Sequence, residues 1–151
     1  MQIYRLSRQP YSRNLKGVGS KLFGGRWNHV GVPCIYAAES RALAILEYAA
    51  NTETDEIPRN LNLITYEVPE KEFRSFDISE LPGDWQHDPS PQSTKNFGAK
   101  LFQEKDCLGI RLPSIIVNKE YNYLINPLSD KLPLLKILDA NDYSFDIRIK
   151  K

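Results

Sequence analysis

Short apolar runs separated by turn-forming residues occur along the whole chain, and this spacing constrains the fold more than any other feature. Runs of about four to eight residues rich in β-branched and aromatic side chains predict strands, because such side chains suit a pleated, half-buried surface. Strands therefore dominate the predicted secondary structure. The predicted strands are Ile3–Leu6, Pro33–Ala37, Leu61–Val68, Arg74–Ile78, Gly109–Leu112, Ser114–Val117, Tyr121–Ile125 and Tyr143–Ile149.

Some segments between these runs have the pattern of helices instead. Ser40 can cap a helix from Arg41 to about Ala50, and Ser93 or Thr94 can cap another. Strands interrupted by helices, without a regular β-α-β alternation, are typical of an α+β fold. At 151 residues, with 41% of them hydrophobic and no repeat or clear boundary, residues 1–151 are expected to form one domain.

The charged residues are balanced and spread along the chain. The 20 basic and 19 acidic residues leave a formal net charge of +1, which gives no basic footprint for nucleic acid. No leader peptide or long apolar span is evident, so we expect a cytoplasmic protein without membrane contact. Cys34 and Cys107 are far apart in the sequence, and the two histidines are His29 and His87. This set of residues predicts neither a metal site nor a disulfide framework.

The first predicted helix carries a carboxylate on its apolar face. Leu43, Leu46, Glu47 and Ala50 follow helical spacing, and Glu47 is the charged member of this set. Burying a carboxylate is costly unless cations or hydrogen-bond donors compensate it. Glu47 is therefore expected to have a partner or a catalytic role, and the alternative is a glutamate at the helix edge that reaches solvent.

A glycine pair precedes an arginine in the run Gly24-Gly25-Arg26. The glycines would let the backbone approach a ligand, and the guanidinium fork matches phosphate oxygens. Trp27 and Tyr36 add aromatic rings that could stack on a base or a pyridinium. The alternatives are a tight turn with a surface arginine, and aromatic rings that belong to the core.

Ser114 follows Leu112-Pro113, and several asparagines come soon after it. A serine at this kind of position more often bonds to backbone than to a substrate. Ser114 also lacks the flanking glycines of a nucleophile elbow, so triad chemistry is disfavoured.

Taken in order along the chain, these motifs resemble the RES domain family, which is named for an arginine, a glutamate and a serine. The resemblance extends over nearly the whole chain. It is carried by Tyr4-Arg5, Gly24-Gly25-Arg26-Trp27-Asn28, Ile35-Tyr36-Ala37-Ala38-Glu39-Ser40, the helix with Glu47, Leu112-Pro113-Ser114, Asn122-Tyr123-Leu124-Ile125-Asn126-Pro127 and Phe145-Asp146-Ile147-Arg148.

The resemblance implies both a fold and an activity. RES proteins are toxins of type II toxin–antitoxin pairs that deplete NAD⁺, and their fold is similar to the ADP-ribosyltransferases, a mixed β core with helices around an NAD⁺ cleft. The family's arginine, glutamate and serine positions correspond to Arg26, Glu47 and Ser114, which are the implied catalytic residues. The implied NAD⁺-binding residues are Arg26, Tyr36, Ser114, Trp27 and Asn28.

Cleavage of the nicotinamide–ribose bond fits these residue types. Glu47 can stabilise the oxocarbenium character of the ribose, and Arg26 can bind the pyrophosphate. Tyr36 can hold the nicotinamide, and Ser114 can bond the ribose or the carboxamide. The ADP-ribose acceptor would be phosphate or water, and the alternatives are transfer to a protein or a binding module without turnover.

The resemblance also implies partners. NAD⁺ is a consumed substrate, so no cofactor is expected, and inorganic phosphate is a candidate co-substrate. RES toxins are usually encoded beside an antitoxin with an Xre-like DNA-binding region. We therefore expect an Xre-like antitoxin to cover the cleft in a hetero-oligomer, with a homodimer as the alternative, and any DNA binding to belong to the complex.

Overall fold

The computed structural model describes residues 1–53 and 59–149, which form a seven-stranded mixed sheet with helices packed against it. The strand order is β4-β5-β6-β2-β1-β3-β7, and β4 pairs parallel to β5 while the other neighbours pair antiparallel. The strands are β1 (Gln2–Arg8), β2 (Ile35–Ala38), β3 (Leu61–Glu67), β4 (Phe73–Ser75), β5 (Gly109–Pro113), β6 (Tyr121–Ile125) and β7 (Lys136–Tyr143).

The α-helices of the described residues are α1 (Val18–Phe23), α2 (Arg41–Ala50) and α3 (Gln92–Phe102). The predicted cap of α2 is confirmed, because the Ser40 side chain accepts a hydrogen bond from Leu43 N at 3.0 Å. The predicted cap of α3 is wrong. Pro91 occupies the N-cap, and Ser93 and Thr94 lie inside the first turn, where their hydroxyls bond elsewhere.

The sheet has an apolar core on each face, because successive side chains of a strand point to opposite sides. On β2, Ile35 and Ala37 join one cluster, whereas Cys34, just before the strand, and Tyr36 pack with the other. Helix α3 covers the second face through Leu101 and Phe102. The predicted α+β class, a single domain with a mixed β core and flanking helices, is confirmed.

Some of the predicted strands are wrong. Residues 114–117 bend and do not form a strand. The reason is that Ser114 Oγ accepts hydrogen bonds from the backbone N–H groups of Ile116 and Val117 at 3.0 and 3.1 Å. The predicted strand Tyr143–Ile149 begins where β7 ends. Its Phe145 instead packs against the Tyr48 and Tyr143 rings, with ring centroids 6.1 and 5.3 Å apart.

Helix α1 and strand β7 were not predicted. Gly17 and Gly24, which have φ values of 62° and 72°, flank α1 and give its sequence the appearance of a loop. Strand β7 is polar and half-exposed, and pairing with β3 along its whole length defines it as a strand. No helix in residues 1–53 or 59–149 is long and apolar enough to span a membrane.

Candidate active site

A cleft of about 740 Å³ lies where α2 and the segment after α1 meet the β1, β2 and β6 strands. Its walls combine apolar surface with a small number of charged and amide groups, as is typical of small-molecule sites. The polar side chains that line it include Arg5, Arg26, Tyr36, Glu47 and Asn122.

Glu47 reaches this cleft from α2 and is held by two side-chain donors. Its Oε1 accepts hydrogen bonds from Ser114 Oγ and Asn122 Nδ2, each at 2.8 Å. Donors of this kind compensate the partial burial of a carboxylate. The glutamate therefore has the partners that its partial burial requires, and they hold its carboxylate in the cleft.

The predicted apolar face of α2 is partly wrong. Leu43 is buried, but Leu46 is 40% exposed and Ala50 is also exposed. The helix instead buries Leu43 with Ala44 against Ala38 of β2. Glu47 therefore lies at the border of the packed face, where its carboxylate can meet the cleft.

Ser114 supports Glu47. Its hydroxyl donates to Glu47 and accepts from the backbone of Ile116 and Val117, and the residue is only 5% exposed. These bonds engage the hydroxyl fully, and Ser114 is not among the residues that line the cleft. The geometry gives Ser114 a positioning role, and the predicted direct bond to substrate has no support in it.

The turn before β2 presents Arg26. Gly24 adopts a left-handed φ of 72°, and a Cβ at Gly25 would lie 2.6 Å from the Tyr36 hydroxyl oxygen, so both positions require glycine. Gly25 and Asn28 close the turn as an isolated β-bridge. The glycine pair therefore shapes this turn and brings Arg26 to the cleft.

Arg26 is half-buried, and one end of its guanidinium is fixed. Nη1 donates to the carbonyl oxygens of Trp85 and His87 at 2.9 and 2.7 Å. Burial lowers the pKa of Arg26, while the nearby Asp88, Glu47 and Tyr36 act in the opposite direction. The guanidinium is thus a preorganised cation within electrostatic reach of Glu47.

Tyr36, Trp27 and Asn28 form a buried network behind Arg26. The Tyr36 hydroxyl donates to Asn28 Oδ1 at 2.6 Å and accepts from Trp27 N at 3.1 Å. Burial raises the pKa of Tyr36 well above its usual value, so the hydroxyl remains a donor. Asn28 Nδ2 donates to the carbonyls of Ser20 and Val32, each at 2.8 Å.

The predicted contact of the Asn28 side chain with substrate is therefore corrected, and that of Trp27, which lines the cleft, stays a prediction. Asn28 is fully buried, and Trp27 is 4% exposed. The indole packs against Trp85 and Phe97, with ring centroids 6.4 and 5.7 Å apart. Both side chains stabilise the turn, and Trp27 is also among the residues that line the cleft.

With this geometry established, comparison with known proteins gives the family. A family model described as the RES domain matches residues 2–147. The chain belongs to the RES domain family. The predicted resemblance is thus confirmed.

Relatives of this RES domain include proteins named as toxins. The chain is 33% identical to "Toxin Res" of Photorhabdus laumondii, covering all of this chain and 98% of that protein. It is 35% identical to the "Prs ADP-ribosylating toxin" of Sphingobium sp., over 90% of this chain and 86% of that protein. Both matches span most of each chain.

A solved structure has the same fold. A chain of the M. tuberculosis MbcT–MbcA toxin–antitoxin complex superposes with a TM-score of 0.67, covering 95% of this chain and 84% of that chain at 18% identity. At this identity the likeness shows a shared fold.

Two cleft residues of this RES domain were not singled out from the sequence. Arg5 lines the cleft from β1, and its buried Nη1 atom has no hydrogen-bond partner among the described residues. Asn122 holds Glu47 from β6. The signal that could have identified Arg5 is an arginine within the predicted apolar strand Ile3–Leu6.

Proposed function

We propose that this RES domain protein is a toxin that cleaves the nicotinamide–ribose bond of NAD⁺. The observation that carries the proposal is the Glu47 carboxylate, held by Ser114 and Asn122 in a cleft that also contains Arg26 and Arg5. The names of the relatives, "Toxin Res" and "Prs ADP-ribosylating toxin", support it.

Glu47 is suited to the bond cleavage itself. Both of its donors bond Oε1, which leaves Oε2 to accept a ribose hydroxyl. As the bond to nicotinamide breaks, its electron pair leaves with the nicotinamide nitrogen and positive charge develops on the ribose. A fixed carboxylate stabilises that charge more in the transition state than in the ground state.

Two arginines match the charge of the dinucleotide. The pyrophosphate of NAD⁺ carries two negative charges, and a guanidinium can bond phosphate oxygens through several N–H groups. Arg26 uses Nη1 for the Trp85 and His87 carbonyls, which leaves Nη2 and Nε for a ligand. Arg5 would supply the second cation. Tyr36, whose hydroxyl is occupied, would present its ring to the nicotinamide.

The acceptor is proposed to be inorganic phosphate or water, whose oxygen would bond the ribose carbon and release a proton. Mass analysis of products from purified protein and NAD⁺, with and without phosphate, tests this. Phosphorylated ADP-ribose or free ADP-ribose supports the proposal. Intact NAD⁺ in both mixtures contradicts it, and a labelled protein band from labelled NAD⁺ and lysate would instead identify protein ADP-ribosylation.

Ser114→Ala is expected to lower kcat/KM for NAD⁺ by about tenfold, because Glu47 loses one of its two donors. Asn122 still bonds Oε1, so the loss should be partial. Steady-state nicotinamide release measures the effect. Ser129→Ala, another buried serine whose hydroxyl bonds the Cys107 carbonyl, is the matched control. Unchanged activity in Ser114→Ala would contradict the positioning role.

We further propose that an Xre-like antitoxin covers the cleft in the cytoplasm and that DNA binding belongs to that partner. The fold match with a chain of a toxin–antitoxin complex supports a protein partner. The net charge of +1 supports the assignment of DNA binding to that partner. Co-expressed complex should leave NAD⁺ intact until the partner is removed. Equal turnover by the complex and the free protein would contradict the occlusion.

A further inference from the structure

Helix α3 contacts the backbone of the arginine turn at three successive carbonyl groups and hydrogen-bonds two of them. Lys95 Nζ donates to Gly25 O, and Thr94 Oγ1 donates to Arg26 O at 2.6 Å. At the next residue, Trp27 O lies so close to α3 that a Cβ at Gly98 would be 1.7 Å from it. The contacts involve three consecutive residues of the turn and the first two turns of α3, which indicates a fitted interface.

The donors are themselves constrained. Thr94 is fully buried, and its hydroxyl also reaches Pro91 O at 2.9 Å. Lys95 Nζ has a second contact with Ser90 Oγ at 3.2 Å. Burial and, to a smaller extent, the charge of Arg26 lower the pKa of Lys95, so its ammonium is placed here at an electrostatic cost.

The same part of the chain also holds the other end of Arg26. The guanidinium donates to the carbonyls of Trp85 and His87, in the segment that leads into α3. Residues 85–98 therefore fix both the backbone and the tip of one side chain. A turn with two glycines could otherwise adopt many conformations, since glycine is the least restricted residue.

We propose that Thr94 and Lys95 are positioning residues that set the direction of Arg26 toward the NAD⁺ pyrophosphate. This inference rests on the proposed function for its ligand. Helix α3 then fixes the orientation of Arg26, because a binding side chain is held in place by the residues that contact it from outside the site.

Thr94→Val keeps the shape of the side chain and removes its donor, whereas Thr94→Ser keeps the hydroxyl. We expect Thr94→Val to raise KM for NAD⁺ by about tenfold with a smaller change in kcat, and Thr94→Ser to restore most of the affinity. Thr65→Val, at a buried threonine away from the cleft, is the control. A lower melting temperature with unchanged KM would overturn the proposal.

Lys95→Met provides a second variant in case Thr94→Val fails to fold. It removes the charged donor and should raise KM by about ten- to hundredfold, because hydrogen bonds to charged groups are the stronger ones. Lys100→Met, at an exposed lysine of the same helix, should leave KM unchanged. Equal KM values for the two lysine variants would overturn the role of Lys95.

A double-mutant cycle separates action through Arg26 from a general effect. If Thr94 acts through Arg26, Thr94→Val should raise KM little further in the Arg26→Met background. Full additivity of the two changes would contradict the proposal.

A spectroscopic readout keeps this test independent of turnover. The ¹⁵N–¹H signal of Arg26 Nε, identified by its loss in Arg26→Met, should shift in Thr94→Val and Lys95→Met but not in Thr65→Val or Lys100→Met. An unshifted signal overturns the positioning role. If the signal shifts while the wild-type protein leaves NAD⁺ intact, the proposed function fails and the positioning of Arg26 stands.

Discussion

Glu47→Gln is expected to lower kcat/KM for NAD⁺ cleavage by about 10²- to 10³-fold, the usual effect of losing a main electrostatic stabiliser of the transition state. Glutamine has nearly the same shape, and its amide oxygen can still accept from Ser114 and Asn122. The variant therefore loses charge and keeps the fold. Nicotinamide release measures the loss of activity, and a melting curve measures whether the fold is kept.

Glu39→Gln is the matched control, because Glu39 lies just before α2, is half-buried and does not line the cleft. It should retain wild-type activity. Near-normal activity of folded Glu47→Gln would contradict the assignment of Glu47 and would favour a different catalytic group. Persistent toxicity of the same variant in cells would favour a binding module without turnover.

Arg26→Met is expected to raise KM for NAD⁺ by about 10- to 100-fold, since a charge-assisted bond contributes about 1.5–3 kcal/mol. The effect on kcat should be smaller, because the pyrophosphate is remote from the bond that breaks. The Trp85 and His87 carbonyls also lose their donor, so the free energy of unfolding should fall by about 1–3 kcal/mol. Steady-state kinetics and denaturant titration measure the two changes.

Arg74→Met is the control for charge removal, because Arg74 lies on β4, outside the cleft, and pairs with Glu104 at the surface. It should leave KM unchanged. A folded Arg26→Met variant with normal KM would contradict the pyrophosphate role. Failure of Arg26→Met to fold would favour a structural role in binding the Trp85 and His87 carbonyls.

The parts of the fold that local sequence determines were predictable. Strands β1, β3 and β6 coincide with apolar runs, and α2 begins at a serine cap that offers an acceptor to the first turn. Strand β7 was missed because its pairing with β3, and not its own composition, makes it a strand. Helix α1 was missed because the glycines at its ends resemble loop residues.

The site was predictable to a similar extent. The sequence and its family resemblance identified Arg26, Tyr36 and Glu47, which the fold brings to one cleft, and Ser114, which contacts Glu47. Contacts between distant residues could not be derived from local pattern. For this reason the burial of Trp27, and the contribution of Asn122 from β6, became evident only from the fold.

The most direct test of the account is a crystal structure of Glu47→Gln with bound NAD⁺, because this variant should bind the dinucleotide and cleave it slowly. We expect the pyrophosphate to lie against Arg26 and Arg5, the nicotinamide beside Tyr36, and a ribose hydroxyl within hydrogen-bond distance of residue 47. NAD⁺ bound outside this cleft, or bound in it with the nicotinamide ribose away from residue 47, would contradict the account.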